Sequence, residues 1–291
     1  MSDNNVGVCE KNITRGRCLY LVATPIGNLS DMSERALKVL SEVDFIAAED
    51  TRNSLRLLTH FGISKPLISY FEHNKRERGE AIIKRLGAGE SCALITDAGT
   101  PAISDPGEDL VRLCAEHDIT VISVPGACAA ICALTLSGLA TARFCFEGFL
   151  PVSKSERRER LEALKNEDRT IILHEAPHKL RTTLADLASA LGNDRKISLC
   201  RELTKLNEQV IRTTLGEAIK YYDETQPRGE YVLVISGTEA KEKACFWQDM
   251  TVEEHLEYYI NEGTERREAV KKVAHDRGVP KNDIYKKTIQ K

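Results

Sequence analysis

The chain has 291 residues, of which 42% are apolar and 29% charged, a composition that excludes a wholly disordered chain and suffices for about two domains of ordinary size. A formal net charge of −3 advertises no nucleic-acid partner globally, although nine Lys or Arg stand against four Asp or Glu between Thr264 and Lys291. Nine cysteines scattered without a CxxC pair argue against a zinc site and for free thiols in a reducing, cytoplasmic compartment.

Residues 1–17 are polar and lack the unbroken apolar stretch of a signal peptide, so they read as a disordered lead-in. Strands are predicted at 19–23, 45–48, 67–70, 92–96 and 121–124, with helices at 33–43, 51–60, 75–86 and 107–117 between them, an α/β alternation. Asp31 followed by Glu34 has capping-box spacing and predicts the start of the first helix. The stretch 119–142 carries no charge and is long enough to cross a bilayer. Pro125-Gly126 interrupts it, and Ala, Cys, Ser and Thr follow, so it reads as a buried strand, a turn and a buried helix, with no membrane partner.

A second series follows Phe149-Leu150-Pro151, with strands predicted at 170–174, 196–201, 209–214 and 231–236 and helices at 156–164, 178–191 and 215–222. The short connection between 196–201 and 209–214 predicts an antiparallel pair, which makes the second sheet mixed. Beyond Gly237 only helical patterns remain, at 252–261, 266–277 and 281–287, the last two separated by the turn Gly278-Val279-Pro280.

Ligands of open α/β sheets bind at the carboxyl ends of the strands, so the strand ends carry the functional reading. The first is Thr24-Pro25-Ile26-Gly27-Asn28-Leu29, a rigid turn that does not match GxGxxG and disfavours a dinucleotide site. The fourth runs from Thr96 through Asp97-Ala98-Gly99-Thr100-Pro101-Ala102-Ile103-Ser104-Asp105-Pro106 to Gly107. Its two prolines and two glycines restrict the free loop and lower the entropy lost on binding. Asp105-Pro106 could equally serve only to start a helix. The fifth, Pro125-Gly126-Ala127-Cys128-Ala129, is small enough to let a ligand lie against a helix start, or simply to pack that helix tightly.

Taken in order, Thr24–Leu29, Ala48-Glu49-Asp50-Thr51-Arg52, Asp97–Pro101, Ser104–Gly107, Glu147-Gly148-Phe149-Leu150-Pro151 and Arg201-Glu202-Leu203-Thr204-Lys205 resemble the tetrapyrrole methylase superfamily. Within it they are most similar to the ribosomal branch, the 16S rRNA cytidine 2'-O-ribose methyltransferases, with a resemblance that runs from about Leu19 to Gly237. It implies two α/β domains of the tetrapyrrole methylase type, 18–125 and 126–240, a cofactor cleft between them, and a small helical extension at 245–291. It further implies S-adenosylmethionine as cofactor, with Pro25, Gly27, Asp97, Ala98, Gly99, Thr100, Ile103, Ser104, Pro106, Cys128, Ala129 and Leu203 holding it. The implied partner is 16S rRNA or the small ribosomal subunit, the implied target a cytidine of the decoding centre, the implied assembly a homodimer. No metal is implied.

Removing the ribose proton requires a positioned acceptor, and Glu202, Lys205, Asp97 and Glu49 are the titratable groups on the matching phrases. Glu202 and Lys205 follow a predicted strand that ends at the cleft and are expected to face the ribose; an ordinary salt bridge is the alternative. Arg157, Arg158 and Arg160 either reach phosphates or pair with Glu156, Glu159 and Glu162 on their own helix. The basic extension either grips RNA or caps the second domain. The sequence departs from the family's pattern at Lys75, His174, His178-Lys179 and Cys128. Two rival readings use the same residues: a tetrapyrrole or other small-molecule methyltransferase of this fold, and a non-catalytic RNA-binding assembly factor.

Overall fold

The computed structural model describes residues 14–238, 247 and 249–289. Most of the expected lead-in, with Cys9, and part of the expected extension, with Cys245, lie outside these described residues. Of the lead-in, Arg17 donates its N–H to Glu90 O at 2.8 Å, and Arg15 N–H reaches the Tyr20 hydroxyl at 2.8 Å.

The first sheet joins β1 (Cys18–Val22), β2 (Phe45–Ala48), β3 (Leu67–Ser69), β4 (Ser91–Ile95) and β5 (Thr120–Val124), all parallel, in the order β3-β2-β4-β1-β5. Parallel strands need crossover helices, here α1 (Glu34–Glu42), α2 (Thr51–His60), α3 (Lys75–Gly87) and α4 (Gly107–Glu116). Alternate side chains go to opposite faces. Tyr20, Val22, Ile46 and Ala93 pack with Leu40 of α1 and Leu58 of α2, whereas Leu19, Phe45, Cys92 and Leu94 pack with Ile82 of α3 and Leu110 of α4. Both faces are therefore covered, and truncating a residue such as Leu40 to Ala would cost about 2–5 kcal/mol. Because β1 leads to α1 on one face while its neighbour β4 leads to α4 on the other, their loops part at the carboxyl edge and open a crevice there.

Helix α1 corrects one expectation. Its N-cap is Ser33, whose Oγ accepts from Ala36 N–H, while Asp31 closes a single 3-10 turn over Leu29–Asp31. Asn28, whose Oδ1 accepts from Ser30 N–H, starts that turn, so the polar residues between the strand and the helix serve two consecutive caps.

The second sheet contains β6 (Phe144–Gly148), β7 (Thr170–Glu175), β8 (Lys196–Arg201), β9 (Gln209–Thr214) and β10 (Tyr231–Ile235) in the order β6-β7-β10-β8-β9. Only β6 and β7 pair in parallel; β8 and β9 form the expected antiparallel pair, and the sheet is mixed. Its elements are completed by α5 (Ala129–Ser137), α6 (Lys154–Leu164), α7 (Leu180–Leu191) and α8 (Leu215–Glu224). Ile171, Leu173, Leu199 and Leu233 pack on α6, α7 and α8, and Ile172, Cys200, Val232 and Val234 pack on α5. The edge strand β6 was not predicted: Phe144 is exposed and the register slips between Phe146 and Gly148, so its five residues show no alternation.

Residues up to Gly237 form one compact unit containing both sheets; Thr238–Lys291 form another. In the latter, α9 (Val252–Asn261), α10 (Arg266–Asp276) and α11 (Lys281–Ile289) enclose Leu256, Val270, Val273 and Ile284. A capping box joins Thr251 and Glu254 at the start of α9. Among the described residues no helix is long and apolar enough to cross a membrane.

Candidate active site

The loop from β4 to α4 is fixed by its own side chains. Asp105 accepts from Gly107 N–H at 2.7 Å and from Ile103 N–H at 3.2 Å, and the Tyr70 hydroxyl holds Pro106 O at 3.0 Å. Asp105-Pro106 thus does start a helix, and it also folds the loop back on itself. Gly99 (φ 87°), Ala102 (φ 65°) and Ser104 (φ 62°) take left-handed conformations, which cost a non-glycine residue about 1–2 kcal/mol. Of the six non-glycine residues with positive φ among those described, four are Ala102, Ser104, Glu202 and Thr204, on the two loops singled out by sequence. Strain of this kind persists where surrounding structure enforces it, often at ligand sites.

Specific bonds bring the strand ends of the first sheet together. Thr24 and Gly99 exchange two main-chain hydrogen bonds, 2.9 and 3.1 Å, across the β1/β4 crevice. The Thr24 hydroxyl, fully buried, donates to Thr96 O, and the Thr100 hydroxyl donates to Ala127 O at 3.0 Å in the loop after β5. A cavity of about 180 Å³ lies between Pro25, Gly27, Asn53, Leu57, Thr96 and Asp97. Asn53 of α2 donates to Asp97 Oδ2 at 3.2 Å.

The second sheet reaches these loops through the connection between β8 and β9. A Cβ built on Gly27 would lie 2.8 Å from Thr204 Oγ1 and 3.0 Å from Leu203 O, and would strike Lys205 Cγ. Ile26, Cys128, Ala129 and Leu203 share one apolar cluster. Ser104 lies beside Gly148 at the end of β6, where an added Cβ would sit 3.3 Å from Ser104 Oγ. The structure therefore brings Pro25, Gly27, Asp97, Gly99, Thr100, Ser104, Cys128, Ala129 and Leu203 to one edge of the unit. Ala98 lies exposed on the same loop, whereas the bonds of Ile103 and Pro106 are to Asp105 and Tyr70.

Glu202 and Lys205 form the charged end of this arrangement. Lys205 Nζ lies 3.0 Å from Glu202 Oε1 and 2.9 Å from Glu230 Oε2, and Glu202 Oε1 also accepts from Glu230 N–H at 2.9 Å. The Glu230 N–H, with Lys205, holds the Glu202 carboxyl below its ordinary pKa. Burial works against the Lys205 ammonium, yet bonds to Glu230 and Glu202 outweigh it and raise its pKa, so Lys205 remains a cation at neutral pH. Across the cleft edge, burial and the charges of Asp97 and Asp105 push the Glu49 carboxyl up. The expected alternative of a salt bridge for Glu202 and Lys205 is thus realised, on a strained loop rather than on a solvated helix.

Four polar residues of the site escaped the sequence reading. Thr24 and Asn53 are ordinary in type; Glu230 becomes visible only once Tyr231 is known to pair with Arg201, which sets it against Glu202. Thr204 Oγ1 is buried with no hydrogen-bond partner, a sign of a missing ligand atom that no sequence signal announces. The departures from the family's pattern also find places. Lys75 binds Asp109 of α4 and Glu72, both at 2.7 Å, and His174 is wedged between Phe146 and Phe149 with its Nε2 unpartnered. Arg157 and Arg160 pair not with their own helix but with Asp186 and Glu147.

Residues 18–219 match the family model described as Tetrapyrrole (Corrin/Porphyrin) Methylases. The chain is 47% identical over 272 residues to the Ribosomal RNA small subunit methyltransferase I of Synechocystis sp., covering 94% of this chain and 97% of that protein. It is 48% identical to the protein of the same name from Bacillus subtilis, covering 92% of each. Among solved structures, diphthine synthase superposes with a TM-score of 0.59 at 15% identity, over 76% of this chain and 90% of that one. Uroporphyrin-III C-methyl transferase from Thermus thermophilus, complexed with S-adenyl homocysteine, gives 0.54 at 17% identity, over 75% and 96%. Those two likenesses establish the fold, and the sequence relatives establish the family: the chain belongs to the ribosomal RNA small subunit methyltransferase I family, within the tetrapyrrole methylases.

Proposed function

We propose that this chain transfers a methyl group from S-adenosylmethionine to the ribose 2'-hydroxyl of a cytidine in the RNA of the small ribosomal subunit, working in the cytoplasm as a homodimer. The observation that carries this reading is the meeting of the glycine-bearing loops of the first sheet with the Glu202–Lys205 loop of the second at Gly27. The residues suit the cofactor: Gly27 exposes main chain at the junction of the two sheets, Thr204 Oγ1 beside it has an unfilled bond, and Ile26 and Leu203 offer apolar contact. Pro25, Gly27, Asp97, Gly99, Thr100, Cys128, Ala129 and Leu203 would hold it, with Ala98, Ile103, Ser104 and Pro106 fixing the loop that lines it. When bound, the cofactor supplies a methyl group already activated by its sulfonium centre.

The protein's share of the work is alignment and charge. Lys205, kept protonated by its two carboxylate partners, donates from Nζ to the ribose oxygen and stabilises the negative charge that develops there. Glu202 uses Oε1 to hold Lys205 and Glu230 N–H, which leaves Oε2 to take the ribose proton. The rivals differ in acceptor or in catalysis. The small-subunit methyltransferase relatives favour RNA over a tetrapyrrole, and the strained, ligand-ready loops favour cofactor use over plain RNA binding.

The test is mass-spectrometric mapping of ribose methylation on small-subunit RNA from cells with and without the protein, beside a calorimetric titration of the purified chain with S-adenosylmethionine. A single cytidine 2'-O-methyl group that depends on the protein, and saturable cofactor binding, are expected. An unchanged methylation map, or no heat of binding, would overturn the reading.

A further inference from the structure

A cavity of about 740 Å³ lies away from the loops discussed so far, in the groove between α6 and α7. Its floor is apolar, made by Leu150, Pro151, Leu161 and Ala190. Its walls carry cations well in excess of acids. Arg157 is satisfied, at 2.7 Å from Asp186 and 2.8 Å from the Thr183 hydroxyl, and Lys165 pairs with Glu162 on the same helix. Lys154, Arg158 and Lys179 remain, all exposed and none with an acidic partner within 4 Å among the described residues. The groove therefore holds about three uncompensated positive charges in a chain whose net charge is −3.

Position gives this charge a purpose. Gly148, which lies beside Ser104 of the cofactor loop, is followed directly by Phe149 and then by Leu150, Pro151 and Val152 of the groove. Phe149, whose ring meets His174 edge-to-face, is still 57% exposed and Val152 is 81% exposed, so a largely open aromatic ring and an apolar patch stand between the loops of the site and the cations. Cations that track a phosphate chain, beside an aromatic side chain on which a base can stack, are the combination that holds single-stranded nucleic acid. We infer that the α6–α7 groove is the track for the sugar-phosphate backbone of the RNA next to the reacting nucleotide, with Lys154, Arg158 and Lys179 each meeting a phosphate and Phe149 offering its ring to a flanking base. The inference rests on the proposed RNA methylation and adds to it where the substrate lies.

The experiment uses the full chain and a triple variant, Lys154→Gln with Arg158→Gln and Lys179→Gln, whose sites are exposed and outside the core. A second triple variant, Lys38→Gln with Lys84→Gln and Lys220→Gln, removes the same charge from helices elsewhere. Binding of a small-subunit RNA fragment is followed across a salt series, together with steady-state methyl transfer and calorimetric cofactor affinity. For three phosphate contacts to single-stranded RNA, the slope of log affinity against log salt should shrink by about two in the groove variant. Its KM for RNA should rise about tenfold or more, with kcat and cofactor affinity unchanged, while the second variant stays near wild type. Equal losses in both variants, or an unchanged salt slope in the groove variant, would overturn the inference. So would weakened binding of the assembled subunit with unaltered binding of naked RNA, which would assign the groove to a ribosomal protein. Failure of the wild-type chain to methylate any ribose of that RNA would instead remove the functional reading itself.

Discussion

The two sheets meet at the same site but bring different chemistry to it. The first is wholly parallel, so its strand ends all emerge at one edge, and what they bring is main chain: Thr24 against Gly99, Thr100 against Ala127 O, and Gly27 without a side chain. The second is mixed, and its antiparallel β8–β9 connection together with the lead into β10 brings charge: Glu202, Lys205 and Glu230. A parallel sheet suits a preformed seat for a cofactor that every turnover shares. A hairpin loop backed by a neighbouring strand can aim a few side chains at the acceptor without altering that seat. The comparison predicts that lesions on the two sides separate into catalytic and binding defects.

The sharpest way to break this division is Lys205→Ala. If Lys205 serves the developing oxyanion, kcat should fall about a hundredfold or more, the loss typical of deleting one such donor, while cofactor affinity measured by calorimetry changes by less than about twofold. A collapse of cofactor affinity would show that the second sheet is part of the seat. The opposite lesion is Gly27→Ala. Its Cβ would crowd Thr204 Oγ1 and Leu203 O, and overpacking of this kind costs about 1–3 kcal/mol. Drawn from cofactor affinity, that is a factor of about five to about a hundred and fifty, with kcat at saturating cofactor less affected. Equal damage to kcat and affinity would mean that the junction, not either sheet, is the functional unit.

What the sequence disclosed follows the same division. The central strands β1, β2 and β4 of the first sheet are buried on both faces, so their extents and their loops were legible; 97–107 was singled out by its prolines and glycines, and it is the loop held in strained conformations. The charged half was only partly legible. Glu202 and Lys205 stood on a matching phrase, but Glu230 depends on strand pairing, and Thr204 depends on what is absent around its hydroxyl. Of the two readings of Arg157 and Arg160, phosphate contact or pairing at helical spacing, neither named their partners on α7 and β6, because tertiary neighbours outcompete weak i,i+4 pairs. Strand β6 was missed because an exposed, bulged edge strand has no period to read. The Asp31–Glu34 spacing misled because Ser33, nearer the helix, caps it.

A smaller effect tests the second sheet's own stability. Burial between Phe146 and Phe149 holds the His174 imidazole below its ordinary pKa, with the Glu230 charge opposing weakly. In the unfolded chain this group takes a proton near pH 6.5, while in the folded chain it resists protonation to lower pH. Its contribution to stability is therefore complete above about pH 6.5 and is lost as the pH falls through the interval down to the folded-state value. His174→Phe should remove that acid sensitivity: thermal melts of the two proteins should diverge by at most a few degrees between pH 7 and pH 5.5, with the variant the less pH-dependent. Parallel curves would show that His174 is not desolvated in the folded protein. The first sheet, which has no such histidine among its buried residues, should not contribute to the difference.

The smallest expected change comes from Ser104→Gly, which asks whether strain in the seat has a use. Relief of the left-handed conformation at φ 62° favours the folded variant by about 1–2 kcal/mol, and the greater freedom of glycine in the unfolded chain opposes this by about 0.4–1 kcal/mol. The two terms nearly cancel, so the denaturation midpoint should rise slightly or stay put. Cofactor affinity has no such compensation, because a loop freed at Ser104 must be ordered again on binding. A loss of about threefold in affinity with unchanged or improved stability is expected from paired calorimetric and denaturant titrations. Unchanged affinity would mean that the bonds of Asp105 to Ile103 N–H and Gly107 N–H fix the loop by themselves, and that the strain at Ser104 is incidental to the seat.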